Sequence, residues 1–186
     1  MKTNLLPSII LTITLLVLLC VAYPVLMWGI AKLTPNSGAG FTIETAQGKN
    51  YVNLGQAFTS DQYFWSRPSA VDYNAAGSGA SNKATTNAAY LQEVQKRLDN
   101  FLAKNPTVAK EDIPVDLLTA SGSGLDPNIS VQSARVQIAR IAKNRGIEAG
   151  RLEQLVTEQT QQPLFGILGP QKINVLELNL ALDALQ

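Results

Sequence analysis

The hydrophobic pattern divides this chain into a long apolar segment near its amino terminus and a longer region of ordinary polarity. Residues 3–31 contain no charged side chain, and 21 of the 27 positions in 5–31 are apolar. A bilayer core about 30 Å thick is crossed by roughly 20 helical residues, each adding about 1.5 Å, so the segment is long enough to span it with some tilt. The pattern predicts one transmembrane helix within residues 1–32.

A cleaved secretory signal is the alternative for this segment. Such a signal has an apolar region of about 7–15 residues, followed by a small-x-small cleavage site. The run here is longer and no A-x-A pattern closes it, and Leu18 and Leu19 stand before Cys20, where a lipoprotein signal needs small residues. We therefore expect a retained helix. Lys2 with the amino terminus, set against Lys32, favours a cytoplasmic amino terminus and an exported domain.

Pro24 lies in the interior of the predicted helix. Because proline has no backbone N–H, it frees a carbonyl around Cys20, and we expect a kink near Tyr23. The helix is either a simple anchor or a segment that packs against other membrane helices. In the second case Pro24 is the candidate contact.

The polar region begins with a stretch rich in glycine, serine and asparagine. Residues 33–50 predict a linker that leaves the membrane, and residues 51–186 predict a single domain. Residues 51–54 and 113–118 are candidate extended pieces. Between them lies an aromatic cluster that we expect to pack in the core beneath a long loop. Its members are Phe58, Tyr63, Phe64 and Trp65.

Apolar residues at helical spacing predict the helices of this domain. Asn87 can cap a first helix that ends at Asn105. A second helix runs from about Ser130 to Gly146, and a third begins near Glu148. The second helix carries four basic residues and no acidic one, and at about 100° per residue they scatter around it, so we expect no binding stripe. These residues are Arg135, Arg140, Lys143 and Arg145.

The carboxyl-terminal segment fits two templates. Leucines alternate in residues 174–183 as they do in a strand, and they also recur at helical spacing. Asn174, with a glutamate three residues later, resembles a capping box and favours a helix. The predicted fold is α+β: one transmembrane helix, then a small, mainly helical extracytoplasmic domain of three or four helices with little sheet.

Composition excludes several classes of site. The chain has no histidine, so Ser-His-Asp catalysis and histidine metal motifs are impossible. Its only cysteine, Cys20, lies in the apolar segment, so neither an internal disulfide nor a cysteine zinc site can form. Residues 33–186 hold 13 basic and 14 acidic groups, a formal charge of 13 − 14 = −1. A nucleic-acid-binding domain needs a basic footprint, so we expect no nucleic-acid partner.

Two glycine-rich loops could in principle bind phosphate through their backbone N–H groups. Gly77 and Lys83 match the spacing of a P-loop, but its second glycine and its Mg²⁺-binding hydroxyl are missing. Residues 122–124 begin a dinucleotide-type pattern whose third glycine is replaced by Pro127. We interpret both loops as turns and expect no cofactor or metal site.

A few charged residues remain as candidates for polar chemistry. They are Arg67, Asp72, Asp116 and Asp126. Two carboxylates could do acid–base work, but no spacing places any pair on one face of an element. Asp126 is expected to be a turn and cap residue.

Four sequence blocks, taken with the single amino-terminal helix, resemble the C subunit of the Kdp-type potassium-transporting ATPase. The blocks are YFWSRPSA at 63–70, YN at 73–74 followed by GSGASN at 77–82, PVDLLTASGSGLD at 114–126, and NVLELNLALD at 174–183. Together with the helix they extend over nearly the full chain.

The resemblance implies a subunit of a four-part pump of the bacterial inner membrane. Its implied partners are a channel-like potassium-translocating subunit, the P-type ATPase subunit and a very small membrane peptide, besides the lipid bilayer. ATP and potassium belong to the assembled complex. The family's C subunit is needed for assembly and activity, and is described as a catalytic chaperone that raises the ATP affinity of the ATPase subunit. An exported domain does not meet cytoplasmic ATP, so the predicted topology argues against direct ATP contact by this chain.

The leading hypothesis is therefore a non-catalytic accessory subunit. Its helix would pack among partner helices, and its domain would cap the potassium entrance of the translocating subunit. Two loops, residues 67–82 and 121–130, form the candidate interface. Its candidate residues are Arg67, Asp72, Asn74, Ser121, Ser123, Asp126 and Asn128. The alternatives are a stand-alone membrane-anchored extracytoplasmic binding or sensor protein, and an enzyme, for which no catalytic set can be assembled.

Overall fold

The computed structural model describes residues 4–45 and 48–185. The chain forms two compact units, residues 1–51 and 52–186. Helix α1 (Leu5–Lys32) is 28 residues long, and its most apolar part has a mean hydropathy of 2.7 and contains no buried residue. By length and composition it can cross a membrane, as predicted. Lys2, on which the orientation prediction depends, lies outside the described residues.

Pro24 changes the hydrogen bonding of α1 without ending the helix. The five residues Leu18–Ala22 form a π turn, in which the Tyr23 N–H donates to the carbonyl of Leu18. Pro24 then lies in the first turn of the α-helical part Tyr23–Lys32, where a missing N–H is tolerated. A π turn thus lies beside Tyr23, where we predicted a kink, and the kink itself stays a prediction.

The segment for which we predicted a linker contains a 3₁₀ turn, Pro35–Gly38, and a hairpin. Strand β1 (Thr42–Thr45) pairs antiparallel with β2 (Gly48–Tyr51), with Thr42 opposite Tyr51. The strand predicted for residues 51–54 is wrong, because the paired strand ends at Tyr51. These strands are short and largely polar, so they lack the apolar alternation by which a strand is recognised.

In the second unit, five helices and a two-residue strand pair make up the regular structure of the described residues. The helices are α2 (Ala88–Lys104), α3 (Val131–Arg135), α4 (Ile138–Arg145), α5 (Ala149–Glu158) and α6 (Val175–Asp183), and the strands are β3 (Asn128–Ile129) and β4 (Ile173–Asn174). The extended piece predicted for 113–118 is wrong, because Val115–Leu117 is a 3₁₀ turn. The mainly helical α+β character is confirmed.

The helix starts follow from side-chain caps that the sequence contains. Asn87 accepts a hydrogen bond from the Tyr90 N–H, and Ser130 accepts one from the Ser133 N–H. Asn174 accepts from the first turn of α6, which confirms the helical alternative for that segment. The second predicted helix is interrupted, since Val136 and Gln137 separate α3 from α4.

The core of the second unit has two parts. The larger joins α3, α4, α5, α6 and the short sheet; the long loop contributes the buried Phe64, with Phe58 and Tyr63 partly buried against it. The smaller packs α2 against the Val115–Leu117 turn, around Phe101. Residues 52–87, all of which the structure describes, contain no helix or strand. This long loop is held by the contacts described next.

Candidate functional site

The aromatic segment 61–65 is fixed by buried polar side chains of the helices. Asn179 of α6 accepts a hydrogen bond from the Phe64 N–H at 2.9 Å and donates to the Phe64 carbonyl at 3.0 Å. Gln137 accepts from the Trp65 N–H at 2.8 Å. Both amides are almost fully buried. The loop backbone is thereby satisfied inside the core without regular secondary structure.

Arg140 clamps the same segment from α4. Its guanidinium lies 4.4 Å from the centre of the Trp65 ring and donates to the Asp61 carbonyl and to Gln137. It also donates to Asn105, at the end of α2. Burial lowers the pKa of Arg140 to about 10, and the nearby Asp61 carboxylate opposes that shift. The side chain therefore remains charged at neutral pH.

Arg145, one turn further along α4, makes a second clamp. It lies 4.6 Å from the centre of the Tyr63 ring, donates to the Gln62 carbonyl at 2.8 Å and pairs with Asp183 at 2.6 Å. Two of the four basic residues of the predicted helix, Arg140 and Arg145, are thus bound to the aromatic segment, a role that the sequence did not predict.

The two loops predicted as an interface pack against one another; we refer to residues 67–82 and 121–130 as the loop pair. Arg67 forms a salt bridge to Asp126 across it, at 3.0 Å, with both side chains about one quarter exposed. The other carboxylate oxygen of Asp126 accepts from the N–H and the side-chain amide of Asn128. Asp126 is thus a turn residue, as predicted, and it also joins the loops, but the predicted cap role is wrong because the N-cap of α3 is Ser130.

Ser69 and Tyr73 close the first loop of the pair. The Ser69 hydroxyl donates to the Gly124 carbonyl at 2.6 Å and accepts from the N–H groups of Val71 and Tyr73. The Tyr73 hydroxyl donates to the Arg67 carbonyl at 2.5 Å. Burial raises the pKa of the Tyr73 phenol, and the positive charge of Arg97 partly offsets this.

The two loops approach closely at Gly124. This residue has φ +68°, and a Cβ atom there would lie 2.7 Å from the Gly79 carbonyl oxygen and 2.8 Å from a methyl group of Val71. Ser123 accepts at its carbonyl from the Gly79 N–H at 2.8 Å and from the Ser78 hydroxyl at 3.0 Å. The glycine at 124 is required by both backbone conformation and space.

Asp116 secures the end of the second loop to the start of α3. Its carboxylate accepts from the Ser130 N–H at 2.8 Å and from the Ser133 hydroxyl at 2.7 Å. The partner of this carboxylate is therefore the helix cap, whereas the carboxylate of Asp126 binds Arg67 and Asn128.

The loop pair does not form a phosphate cradle. The Gly79 N–H donates to Ser123, and the Gly124 N–H donates to the hydroxyl of Ser121. Lys83 pairs with Glu93 of α2, and this hydrogen bond lowers the pKa of Glu93. Among the described residues, no group of three or more cysteine, aspartate or glutamate side chains could hold a metal ion.

The predicted interface residues of the domain have different environments. Arg67, Ser123, Asp126 and Asn128 meet in the loop pair, and Ser121 is buried there. Asp72 and Asn74 are exposed in the first loop; Asp72 has φ +49°, and Asn74 accepts from the Ala76 N–H. Pro24 belongs to the first unit, in α1.

The hydrogen bonds from Asn179 and Gln137 to the backbone of the aromatic segment were not predicted from the sequence. The signal for Asn179 was available, because it occupies an apolar face of α6 four residues after Val175 and three before Leu182. A polar residue at such a position needs a partner inside the core. Gln137 carries a similar signal beside Ile138.

Comparison with known proteins gives one consistent result. The family model described as KdpC, K⁺-transporting ATPase, c chain, matches residues 5–184. A potassium-transporting ATPase KdpC subunit of Flavobacterium johnsoniae is 51% identical over 185 residues, which cover 98% of this chain and 99% of the relative.

Relatives with lower identity also match over nearly the whole of both chains. A KdpC subunit of Bacteroides fragilis is 42% identical, covering 100% of this chain and 99% of the relative. One from Polaromonas naphthalenivorans is 43% identical, covering 100% of this chain and 97% of the relative. The similarity therefore includes both α1 and the domain.

Proposed function

Because this chain belongs to the KdpC family, we propose that it is a non-catalytic accessory subunit of a potassium-transporting ATPase complex. The observation that carries the proposal is the family match over residues 5–184, which includes both structural units. The chain has no histidine and its only cysteine lies in α1. The polar groups of the loop pair bond mainly to one another, which suits a rigid contact surface better than a reaction centre.

We place the chain in the bacterial inner membrane, with its amino terminus in the cytoplasm and its domain outside. Its partners would be the potassium-translocating subunit, the P-type ATPase subunit and the small membrane peptide. In this arrangement α1, with Pro24 and its π turn, packs among partner helices. The domain caps the potassium entrance through the loop pair, using Asp72 and Asn74 as exposed contacts.

Any effect on ATP affinity would then be indirect. The Gly79 and Gly124 N–H groups, which a phosphate would need, already have partners within the domain. An extracytoplasmic domain also lies across the bilayer from ATP. The catalytic-chaperone role would therefore act through the contacts of α1 with the partner subunits.

Affinity purification from membranes tests the proposal. The full chain should recover the other subunits, and a chain lacking residues 1–32 should lose them, because α1 supplies the membrane contact. Recovery of the full chain without any other subunit would instead support the stand-alone binding or sensor protein. A fully active pump reconstituted with the shortened chain would refute the role of the helix.

A further inference from the structure

The loop that connects α5 to β4 forms a closed hairpin with a protruding tip. Gln161 and Lys172 exchange two backbone hydrogen bonds at its base, and Leu164 and Leu168 exchange two nearer the tip. The Gly166 N–H donates to the Pro163 carbonyl at 2.8 Å. The backbone thus has a defined conformation. We refer to residues 163–170 as the apolar loop.

The tip of the apolar loop presents large hydrophobic side chains to solvent. Phe165 is 84% exposed and Ile167 is 81% exposed, and both neighbouring leucines are more than half exposed. Four side chains of this size offer roughly 500 Å² of apolar surface, as large as the largest patches of ordinary monomers, which are often functional. Phe165 also has φ +56°, a conformation that bulky residues rarely adopt. The fold therefore holds an apolar group outward at a disfavoured backbone position.

Charge is absent from the whole neighbourhood of this tip in the sequence. Between Glu158 and Lys172 there is no charged residue. An uncharged apolar tip is complementary to an uncharged apolar cleft, because no charged group of either surface has to be removed from water. On a charged partner surface, the charges would lose their water, and the tip has no opposite charge to pair with them.

We propose that the apolar loop inserts into an uncharged apolar cleft on the extracytoplasmic face of another subunit of the complex. This inference rests on the proposed function. A stable stand-alone dimer buries about 800 Å² on each partner, which is more than the tip offers, so a second copy of the chain is not its occupant. In a chain that α1 already attaches to the assembly, a small contact gains from the high effective concentration of the tethered loop.

The bilayer surface is a different class of occupant, and the composition of the apolar loop does not favour it. Loops and helices that lie at a membrane interface use tryptophan, tyrosine and basic residues. Residues 163–170 contain none of these, and Lys172 is the nearest basic residue. Irregular backbone is also disfavoured in lipid unless protein surrounds it.

Variants of the full chain, expressed with the other subunits, test the docking. Phe165→Asn combined with Ile167→Ser removes the apolar tip, and asparagine tolerates the positive φ. Because buried aromatic anchors carry much of an interface's affinity, partner recovery from detergent-extracted membranes should fall by about tenfold or more. Val115→Ser is the matched control, since Val115 is an exposed hydrophobic residue elsewhere, at 69%. It should leave recovery unchanged.

A photoreactive phenylalanine analogue at position 165 gives a second readout, independent of stability. Adducts to another subunit of the complex support the docking, whereas adducts only to lipid or to a second copy overturn it. Unchanged recovery with the double variant, without a subunit adduct, contradicts the docking alone. If the unmodified chain recovers no subunit at all, the proposed function fails, and the docking fails with it.

Discussion

Asn179 and Gln137 order a part of the loop 52–87 that forms no helix or strand. Each presents its amide to the backbone of the aromatic segment, so that polar groups of an irregular loop are satisfied in the core. A buried backbone group without a partner costs about 1–3 kcal/mol. Asn179 and Gln137 therefore provide the hydrogen bonds that the backbone of a neighbouring β-strand provides in a sheet. The arginines of α4 act on the same segment through its aromatic rings.

Substitution of Asn179 by alanine should destabilise the domain. It leaves both the N–H and the carbonyl of Phe64 buried without their partner, which costs about 2–4 kcal/mol in total. Urea unfolding measures the loss. Asn100→Ala is the control, because Asn100 is exposed on α2, and its effect should stay within about 0.5 kcal/mol. Equal effects of the two substitutions would contradict a stabilising role for the Asn179 contacts with the Phe64 backbone.

Tyr73→Phe tests the phenol contact through its pH dependence. Loss of the bond to the Arg67 carbonyl costs roughly 1 kcal/mol at neutral pH. Since the folded pKa is raised, the unfolded phenol ionises first, and this stabilisation is complete below about pH 10 and falls as the pH rises above it.

The difference in unfolding free energy between the parent chain and Tyr73→Phe should therefore shrink above about pH 10. Taking the difference cancels the titration of lysines common to both chains. Tyr51→Phe, at an exposed position in β2, is the control and should change the unfolding free energy at neutral pH by no more than about 0.5 kcal/mol. A difference that stays constant up to about pH 11 would exclude a raised pKa for Tyr73.

The loop pair behaves as one structural element, although its halves are about fifty residues apart in sequence. Arg67 meets Asp126, Ser69 meets Gly124, and Gly79 meets Ser123. Each half consists of turns, and neither has apolar periodicity of its own. Its rigidity depends on the contacts between the halves.

Gly124→Ala should separate the halves of the loop pair. The new methyl group would meet the Gly79 carbonyl and Val71 at under 3 Å, and alanine is strained at φ +68°. We expect a loss of about 2 kcal/mol or more in unfolding free energy. Gly122→Ala is the matched control, because a Cβ there meets nothing within 4 Å. Calorimetric melting compares the two, and a neutral Gly124→Ala would show that the loops can part freely.

The sequence predicted the elements whose signals are local. Asn87 and Asn174 were identified as caps, and a helix start was predicted near Ser130, because a cap bonds to backbone only two or three residues away. The hairpin at 42–51 was missed because its strands are short and polar. The mutual bonding of the loop pair was not predicted either, because partners so far apart leave no spacing to recognise.

For the whole molecule, the similarity to KdpC subunits extends over both units. The core of residues 52–186 is formed within that unit. Removal of residues 1–32 should therefore leave a domain that melts cooperatively, even though the shortened chain no longer joins the complex. Calorimetry on that chain checks the first part, and a molten, non-cooperative domain would contradict it.

The π turn at Leu18–Ala22 has a geometric consequence for any helix that lies beside α1. It adds one residue to a turn, and one residue corresponds to a rotation of about 100°. A row of side chains along one side of Leu5–Val17 is therefore not continued on the same side of Tyr23–Lys32. A straight helix packed along one side of Leu5–Val17 would therefore contact a different side of Tyr23–Lys32. The two halves of α1 thus offer differently directed contact faces to neighbouring helices in the membrane.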